Sequence, residues 1–211
     1  MARIGAAGIA VALADCPASR ASLAGYLTRA RLGRPRVTLK LALSLDGCLA
    51  MADGRSRWLT GPEARAHVHA LRARSDAIVV GGGTLRADQP SLDVRLAGLE
   101  HLGPERFVLT REAAPAGWGA LGSVADIAAL DAHELLVEGG AGAAAGFLAA
   151  DCVDRLMIYR APIVIGAGRA GIGDIGLADL AEAHGRWARS GGLALGKDTL
   201  EVYERIPCSP A

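Results

Sequence analysis

Lys40, Ser56, Arg72, Asp88, Arg95 and Glu138 are polar residues that fall near two glycine-rich edges, Gly81-Gly82-Gly83-Thr84 and Gly139-Gly140-Ala141-Gly142. Two guanidinium forks can grip a phosphate in bidentate fashion, and Arg72 and Arg95 flank the first edge. Arginines are mostly exposed, so both residues fit solvated surface positions equally well. Lys40 interrupts the apolar run from Val37 to Leu43, which suits a strand residue facing a cleft. Glu138 closes the run Leu135-Leu136-Val137 immediately before glycines. That is the carboxyl end of a strand, where site residues collect in parallel sheets, although a carboxylate there can also cap the next helix. Trp58 lies in a turn-rich stretch, where an indole can stack on a flat ring or cover the core. His67 and His69 are two apart on a helix, point in different directions and cannot share a metal. No Ser-His-Asp order and no activated thiol stands out.

These side chains need a sheet to position them. Ala77-Ile-Val-Val80 is a β-branched and small apolar run, the pattern of a strand buried on both faces. It opens into three glycines and Thr84, where backbone amides can meet a phosphate with no Cβ in the way. Leu135 to Val137 repeats the theme and leads into an alanine-rich helix over 141–150, whose amino end offers free amides and a positive dipole end. Either edge, taken alone, is also compatible with a plain tight turn, and neither fits G-x-G-x-x-G. Further strands are expected at 4–14, 37–43, 93–95, 106–110, 153–159 and 199–206, and helices at 18–31, 62–74 and 124–130. The helix 62–74 begins at Thr60-Gly-Pro-Glu63, with proline in the first turn, and directs Ala66, Ala70 and Leu71, or His67 and Arg74, to its faces. The segment 111–122 around Trp118 reads as a loop. Gly33-Arg34-Pro35 looks like a boundary. The whole reads as an α/β or α+β domain with a mixed sheet, and the two glycine edges suggest a nucleotide bound along the strands' carboxyl ends.

Composition narrows the classes. Apolar residues make up 51% and charged residues 21% of 211 residues, with a net charge of +1, so a nucleic-acid or membrane-surface partner is not expected. No apolar run reaches bilayer length. The first fourteen residues resemble a signal peptide faintly, but two glycines and a single basic residue speak against one. Cys16, Cys48, Cys152 and Cys208 form no C-x-x-C pair, which argues against zinc and makes a reducing cytoplasm the default location.

In order along the chain, Val37-Thr-Leu-Lys-Leu-Ala-Leu-Ser-Leu-Asp-Gly47, Gly54-Arg-Ser-Arg-Trp-Leu-Thr-Gly61, Ala64-Arg65, Leu71-Arg-Ala73, Asp76-Ala-Ile-Val-Val-Gly81, Thr84, Asp88-Gln-Pro-Ser-Leu-Asp-Val-Arg95 and Leu136-Val-Glu-Gly-Gly140 form a long pattern. It resembles the C-terminal reductase domain of the bifunctional riboflavin-biosynthesis deaminase–reductases, relatives of dihydrofolate reductase. The resemblance covers 35–206, leaving 1–34 similar to the tail of a lost deaminase domain and 207–211 as a tail. It implies a dihydrofolate-reductase-like three-layer α/β/α fold with a central mixed, mostly parallel sheet. It also implies NADPH-dependent reduction of the ribosyl group of 5-amino-6-(5-phosphoribosylamino)uracil, with the hydride going to C1′ of the ring-opened imine.

By the same resemblance, Ala42, Trp58, Thr84, Asp88, Gly140, Ala141, Gly142, Ala143 and Gly146 are similar to cofactor contacts. Ser56, Arg72, Leu92, Arg95 and Glu138 are similar to substrate contacts, with the arginines on the phosphate, and Lys40, Asp88 and Glu138 would surround the reacting ribose. A homodimer is implied, and a separate deaminase partner is conceivable, because neither His-Ala-Glu nor Pro-Cys-x-x-Cys occurs. Two further departures stand out. The family's Asp-Asp-Pro is Asp88-Gln89-Pro90 here. The chain between Thr110 and Leu135 is short, as though a strand and most of a helix were missing on the side of the cofactor's adenosine. The rival readings are a same-family reductase of another heterocycle and a degenerate nucleotide-binding module.

Overall fold

The computed structural model describes residues 2–12 and 14–206; the 207–211 tail lies outside the described residues. In chain order the elements begin with helices α1 (Ala2–Ala6), α2 (Pro17–Ser22) and α3 (Ala24–Leu32). Strands β1 (Arg36–Leu43) and β2 (Cys48–Ala50), helix α4 (Pro62–Arg72), strand β3 (Ala77–Gly81), helix α5 (Gly82–Asp88), and strands β4 (Glu105–Leu109) and β5 (Gly119–Leu121) follow. A 3-10 turn over Val124–Ala129 precedes β6 (Glu134–Val137), α6 (Ala141–Ala149), β7 (Arg155–Arg160), β8 (Arg169–Ala170), β9 (Trp187–Leu195) and β10 (Asp198–Arg205). Eight strands form one sheet in the order β5-β4-β3-β6-β1-β7-β10-β9, and β2 pairs with β8 apart from it. From β5 to β7 every neighbouring pair is parallel, while β10 runs antiparallel to both β7 and β9. The sheet is therefore mixed and mostly parallel, as expected.

Alternation along the strands decides which residues reach the site. Val37, Leu39, Leu41 and Leu43 of β1 join Ala77, Val79, Leu135 and Val137 in a core that receives Ile127 of the 3-10 turn and Phe147 of α6. On the other face, Ile78, Val80 and Leu136 pack with Leu71 of α4 and Leu85 of α5. Ala64 and Val68 of α4 cover Met157, Tyr159 and Leu200, with Ala42 beside them. This gives three layers, helix–sheet–helix. Lys40 and Ala42 share the α4 side by their parity with each other, and Glu138 shares it by its parity with Leu136.

Several expectations need correction. Residues 4–14 hold no strand among those described. Ala2–Ala6 is helical, and the segment is exposed with no neighbouring strand to pair with. The helix at 18–31 is divided at Leu23, whose φ and ψ of −100° and 9° break the run. Residues 93–95 are irregular, because Asp93 turns back to accept from Ser91 Oγ and Arg95 Nε instead of pairing with a strand. The loop expected at 111–122 contains the short strand β5, and the helix expected at 124–130 is a 3-10 turn. Gly82–Asp88, to which the sequence reading assigns no element, is a helix. The strand expected at 199–206 is not the sheet edge, since β9 pairs outside it through the two-residue turn Gly196-Lys197, with Gly196 at φ 62°.

The turn after β1 is fastened by Asp46. Its carboxylate accepts from Ser44 Oγ at 2.6 Å, Gly166 N at 2.7 Å and Ile165 N at 3.1 Å. The Ser44 hydrogen bond, then the Gly166 and Ile165 amides, lower its pKa to about 2. A carboxyl depressed in the folded state stabilises above its unfolded value of about 3.9 and loses that contribution as pH falls towards the folded value. Thermal melts from pH 5 to pH 2 are expected to show a smaller acid decline for Asp46→Asn than for the parent chain.

Candidate active site

The carboxyl ends of β1, β3 and β6 meet α4 and α5 around a cavity of about 450 Å³, within the range of small-molecule sites. At its floor Arg72 reaches from the last turn of α4 to Glu138, just past β6. Nε donates to Oε1 at 2.7 Å and Nη2 to Oε2 at 3.0 Å, while Nη1 donates to the Asp93 carbonyl at 3.0 Å. Lys40 Nζ stands 3.7 Å from Glu138 Oε2. The three side chains are 14%, 9% and 17% exposed for Arg72, Glu138 and Lys40, so this is a nearly dry ion cluster. Burial alone would raise the Glu138 pKa. Lys40's charge and Arg72's hydrogen bonds and charge outweigh it and hold the carboxyl below its ordinary value. Lys40 Nζ also lies 5.8 Å from the centre of the Tyr159 ring, whose hydroxyl meets His67 Nδ1 at 2.7 Å. Burial, with the Glu138 charge adding to it, pushes the Tyr159 hydroxyl well above its usual range.

The two glycine edges are joined: Gly140 N donates to Thr84 Oγ1 at 3.0 Å. Gly140 caps α6 without any side-chain cap, which leaves the helix's positive end uncovered by a side chain. A Cβ on Gly139 would collide with the Cβ of Ala143, so only glycine lets α6 begin this close to β6. Gly139→Ala is expected to cost about 1–3 kcal/mol and to weaken any anion bound at the helix end, readable as a lower melting temperature and a reduced response to phosphate ligands.

At the cavity mouth Trp58 is 69% exposed, with the Arg65 guanidinium 4.7 Å from its ring centre, leaving an indole face open. Arg57 Nη2 donates to the Asp88 carbonyl at 2.7 Å. Arg95 is far more exposed than Arg72. Its Nε bonds both Asp93 oxygens and its Nη2 bonds Ser91 Oγ. Those Arg95 hydrogen bonds come first, and with Ser91 they outweigh burial and lower Asp93 to about 2.

Lys40, Ala42, Ser56, Trp58, Arg72, Thr84, Asp88, Leu92, Arg95, Glu138 and Gly140 all line this one cavity. Ala141, Gly142, Ala143 and Gly146 do not line it. They form the first turns of α6, where Ala143 is 7% exposed and packs on Gly81, and Gly146 lies towards Val124. Arg57, Thr60, Arg65, His69 and Ser91 also line the cavity and were not anticipated. A signal for two of them was available, because Arg65, His69 and Arg72 follow an i, i+4, i+7 spacing and share one face of α4. The faces expected for this helix were different; the core takes Ala64, Val68 and Leu71 instead. The charged lining comprises Lys40, Arg57, Arg65, Arg72 and Arg95 against Asp88 and Glu138. Five cations facing two carboxylates suit a ligand carrying phosphate.

The family model described as RibD C-terminal domain matches residues 35–116 and 121–195. The riboflavin biosynthesis protein RibD of Corynebacterium ammoniagenes is 42% identical over 165 residues, spanning 70% of this chain and 49% of that protein. The RibD protein of Mycobacterium tuberculosis is 35% identical over 216 residues, spanning 94% of this chain and 63% of the relative. The chain thus spans about half to two thirds of the length of these relatives. A solved structure of Acinetobacter baumannii RibD superposes with a TM-score of 0.85 at 27% identity, covering 96% of this chain and 67% of that one.

Proposed function

The chain belongs to the RibD C-terminal domain family and has its dihydrofolate-reductase-like fold, and on that premise we propose that it reduces the ribosyl group of 5-amino-6-(5-phosphoribosylamino)uracil to the ribityl chain with NADPH. One observation carries the reading. Lys40, Asp88 and Glu138 stand in a single cationic cavity with Trp58, Thr84 and Gly140, although nearly a hundred residues separate the first from the last.

The residues present fit a nicotinamide dinucleotide. The joined glycine edges and the uncapped amino end of α6 can take its diphosphate, and the open face of Trp58 can take a flat ring. When bound, NADPH supplies a hydride from C4 of its ring. The chain's own work is to hold C1′ of the ring-opened imine within reach, which accounts for most of the acceleration. In the dry floor of the cavity the Glu138 carboxylate stabilises positive charge on the imine nitrogen, and the Lys40 ammonium donates to the ribose side. Arg95, near the solvent, receives the 5-phosphate. A homodimer in the cytoplasm completes the proposal. No helix among the described residues is long and apolar enough to cross a membrane.

The test is a titration of the protein with NADPH and NADH, followed by tryptophan fluorescence and melting temperature. Ligand at a hundred times its Kd adds about 2.7 kcal/mol of stability. Micromolar NADPH binding followed by turnover of the ribosylaminopyrimidine phosphate, in its deaminated or aminated form, is the expected result. No binding at millimolar NADPH would favour the degenerate module suggested by the short 110–135 crossing.

A further inference from the structure

We infer that Asp198, in the β9–β10 hairpin, is a positioning residue that acts through the Gly61 amide on the loop carrying Ser56, Trp58 and Thr60 into the cavity. The inference rests on the reduction proposed above, in which Trp58 faces the cofactor.

The first reason is a missing cap. Gly61 precedes α4 and has no side chain, and Pro62 has no N–H. Ala64 stands where a capping box would place the Glu or Gln that accepts the N-cap amide. The usual local acceptor is therefore absent, and Asp198 Oδ2 accepts from Gly61 N at 2.6 Å across 137 residues of sequence. A carboxyl there also meets the positive end of the helix dipole. Alternation along β10 brings it to this place, since Asp198 shares a face with Leu200 and Val202, which pack with Ala64 and Val68 of α4.

The second reason is what the tether leads to. The Gly61 carbonyl accepts from Arg65 N at 3.2 Å, and Arg65 Nη1 donates to the Thr60 carbonyl at 2.6 Å. The same guanidinium stands 4.7 Å from the centre of the Trp58 ring. One line of contacts thus runs from the hairpin through Gly61 and Arg65 to the indole. Ser56, Trp58 and Thr60 line the cavity, and Asp198 does not.

The third reason is cost. Asp198 is 1% exposed, and its Oδ1 is buried without a hydrogen-bond partner among the described residues. A buried polar atom left unpaired lowers stability, so an apolar side chain would serve the fold alone at least as well. The hairpin tip nevertheless closes tightly on α4. A Cβ on Gly196 would fall 2.5 Å from Glu63 Oε2, and one on Gly61 would fall 3.3 Å from Asp198 Oδ2.

The experiment compares the parent chain with Asp198→Asn, which keeps an acceptor for the Gly61 amide, and with Asp198→Ala and Asp198→Leu, which remove it. Leucine also fills the space. Each protein is prepared with 5-fluorotryptophan for 19F NMR, and the Trp58 signal is assigned by its absence from Trp58→Phe. That signal is expected to move and broaden in Asp198→Ala and Asp198→Leu and to stay close to the parent's in Asp198→Asn, with Trp118 and Trp187 unmoved in all three. KM for NADPH should rise about tenfold in the Ala and Leu variants, the scale of one hydrogen bond, while kcat stays near the parent's; Asp198→Asn should recover the parent's KM. A lower melting temperature with an unmoved Trp58 signal and an unchanged KM, in either folded variant lacking the acceptor, overturns the inference.

A second measurement needs no variant. Hydrogen exchange at the Gly61 amide of the parent chain should be about a hundredfold or more slower than in an unstructured peptide. Exchange at the unprotected rate overturns the inference, whichever variants fold. A parent chain that binds no NADPH refutes the reductase reading, and the Trp58 signal with the Gly61 exchange still decides whether Asp198 holds the loop.

Discussion

Glu138→Gln is expected to lower turnover by about two to four orders of magnitude, the contribution of a positioned acid–base or charge-stabilising group, and to leave NADPH binding in place. The amide keeps the size of the side chain and loses the charge proposed to face the reacting nitrogen. Cofactor affinity should survive, because the joined edges at Thr84 and Gly140 and the start of α6 do not depend on that charge. The substitution also leaves Lys40 and Arg72 buried beside a neutral group. Removing one partner from a buried ion cluster costs about 3–5 kcal/mol, a large share of the roughly 5–15 kcal/mol that stabilises a domain. The melting temperature should drop markedly, and kcat is to be read well below it. A variant that folds and binds NADPH yet turns over like the parent chain would remove Glu138 from the chemistry.

Phe147→Ala is the corresponding test of the scaffold. Phe147 is fully buried and joins α6 to the core residues of β1, β3 and β6. Large-to-small changes at such positions cost about 3–5 kcal/mol, so the urea midpoint should fall far while the slope stays unchanged. The cavity it creates lies on the face of the sheet opposite Glu138. Any folded fraction should therefore keep its cofactor affinity, with loss of function tracking loss of folded protein.

Much of this arrangement was legible in the residues. Runs such as Ala77–Gly81 and Leu135–Val137 are apolar on both faces and could be little other than interior strands. The glycines after them could be read as backbone approaching an anion, and Lys40 within β1 betrayed a cleft. What escaped had physical reasons. Trp187–Leu195 carries Arg189, Ser190 and two glycines and is mostly exposed, so no apolar alternation announces it; it is a strand because β10 offers it an edge. The same cause in reverse defeats 4–14, an apolar stretch with no strand beside it. Asp93 to Arg95 looks extended in composition, but local hydrogen bonds to Ser91 and Asp93 curl it towards the cavity. The Arg72–Glu138 pair joins residues 66 apart, and nothing in either residue's neighbourhood says that they take each other rather than a ligand.

The strand order has a consequence for how the chain becomes a protein at all. β1 is formed by residues 36–43, yet its neighbours are β6 and β7, beginning at residues 134 and 155. A growing chain that has emerged only as far as α5 holds a central strand with both edges bare. It must wait for about fifty further residues, roughly two to ten seconds of synthesis at ~5–20 residues per second, before either edge can close. Closing so long a loop precedes the contacts that reward it, which places refolding among the slower, millisecond-to-second class. Throughout that interval Val37, Leu39 and Leu41 are open to whatever strand arrives first, so the yield of active protein is expected to depend on chaperones and on synthesis rate more than its final stability would suggest.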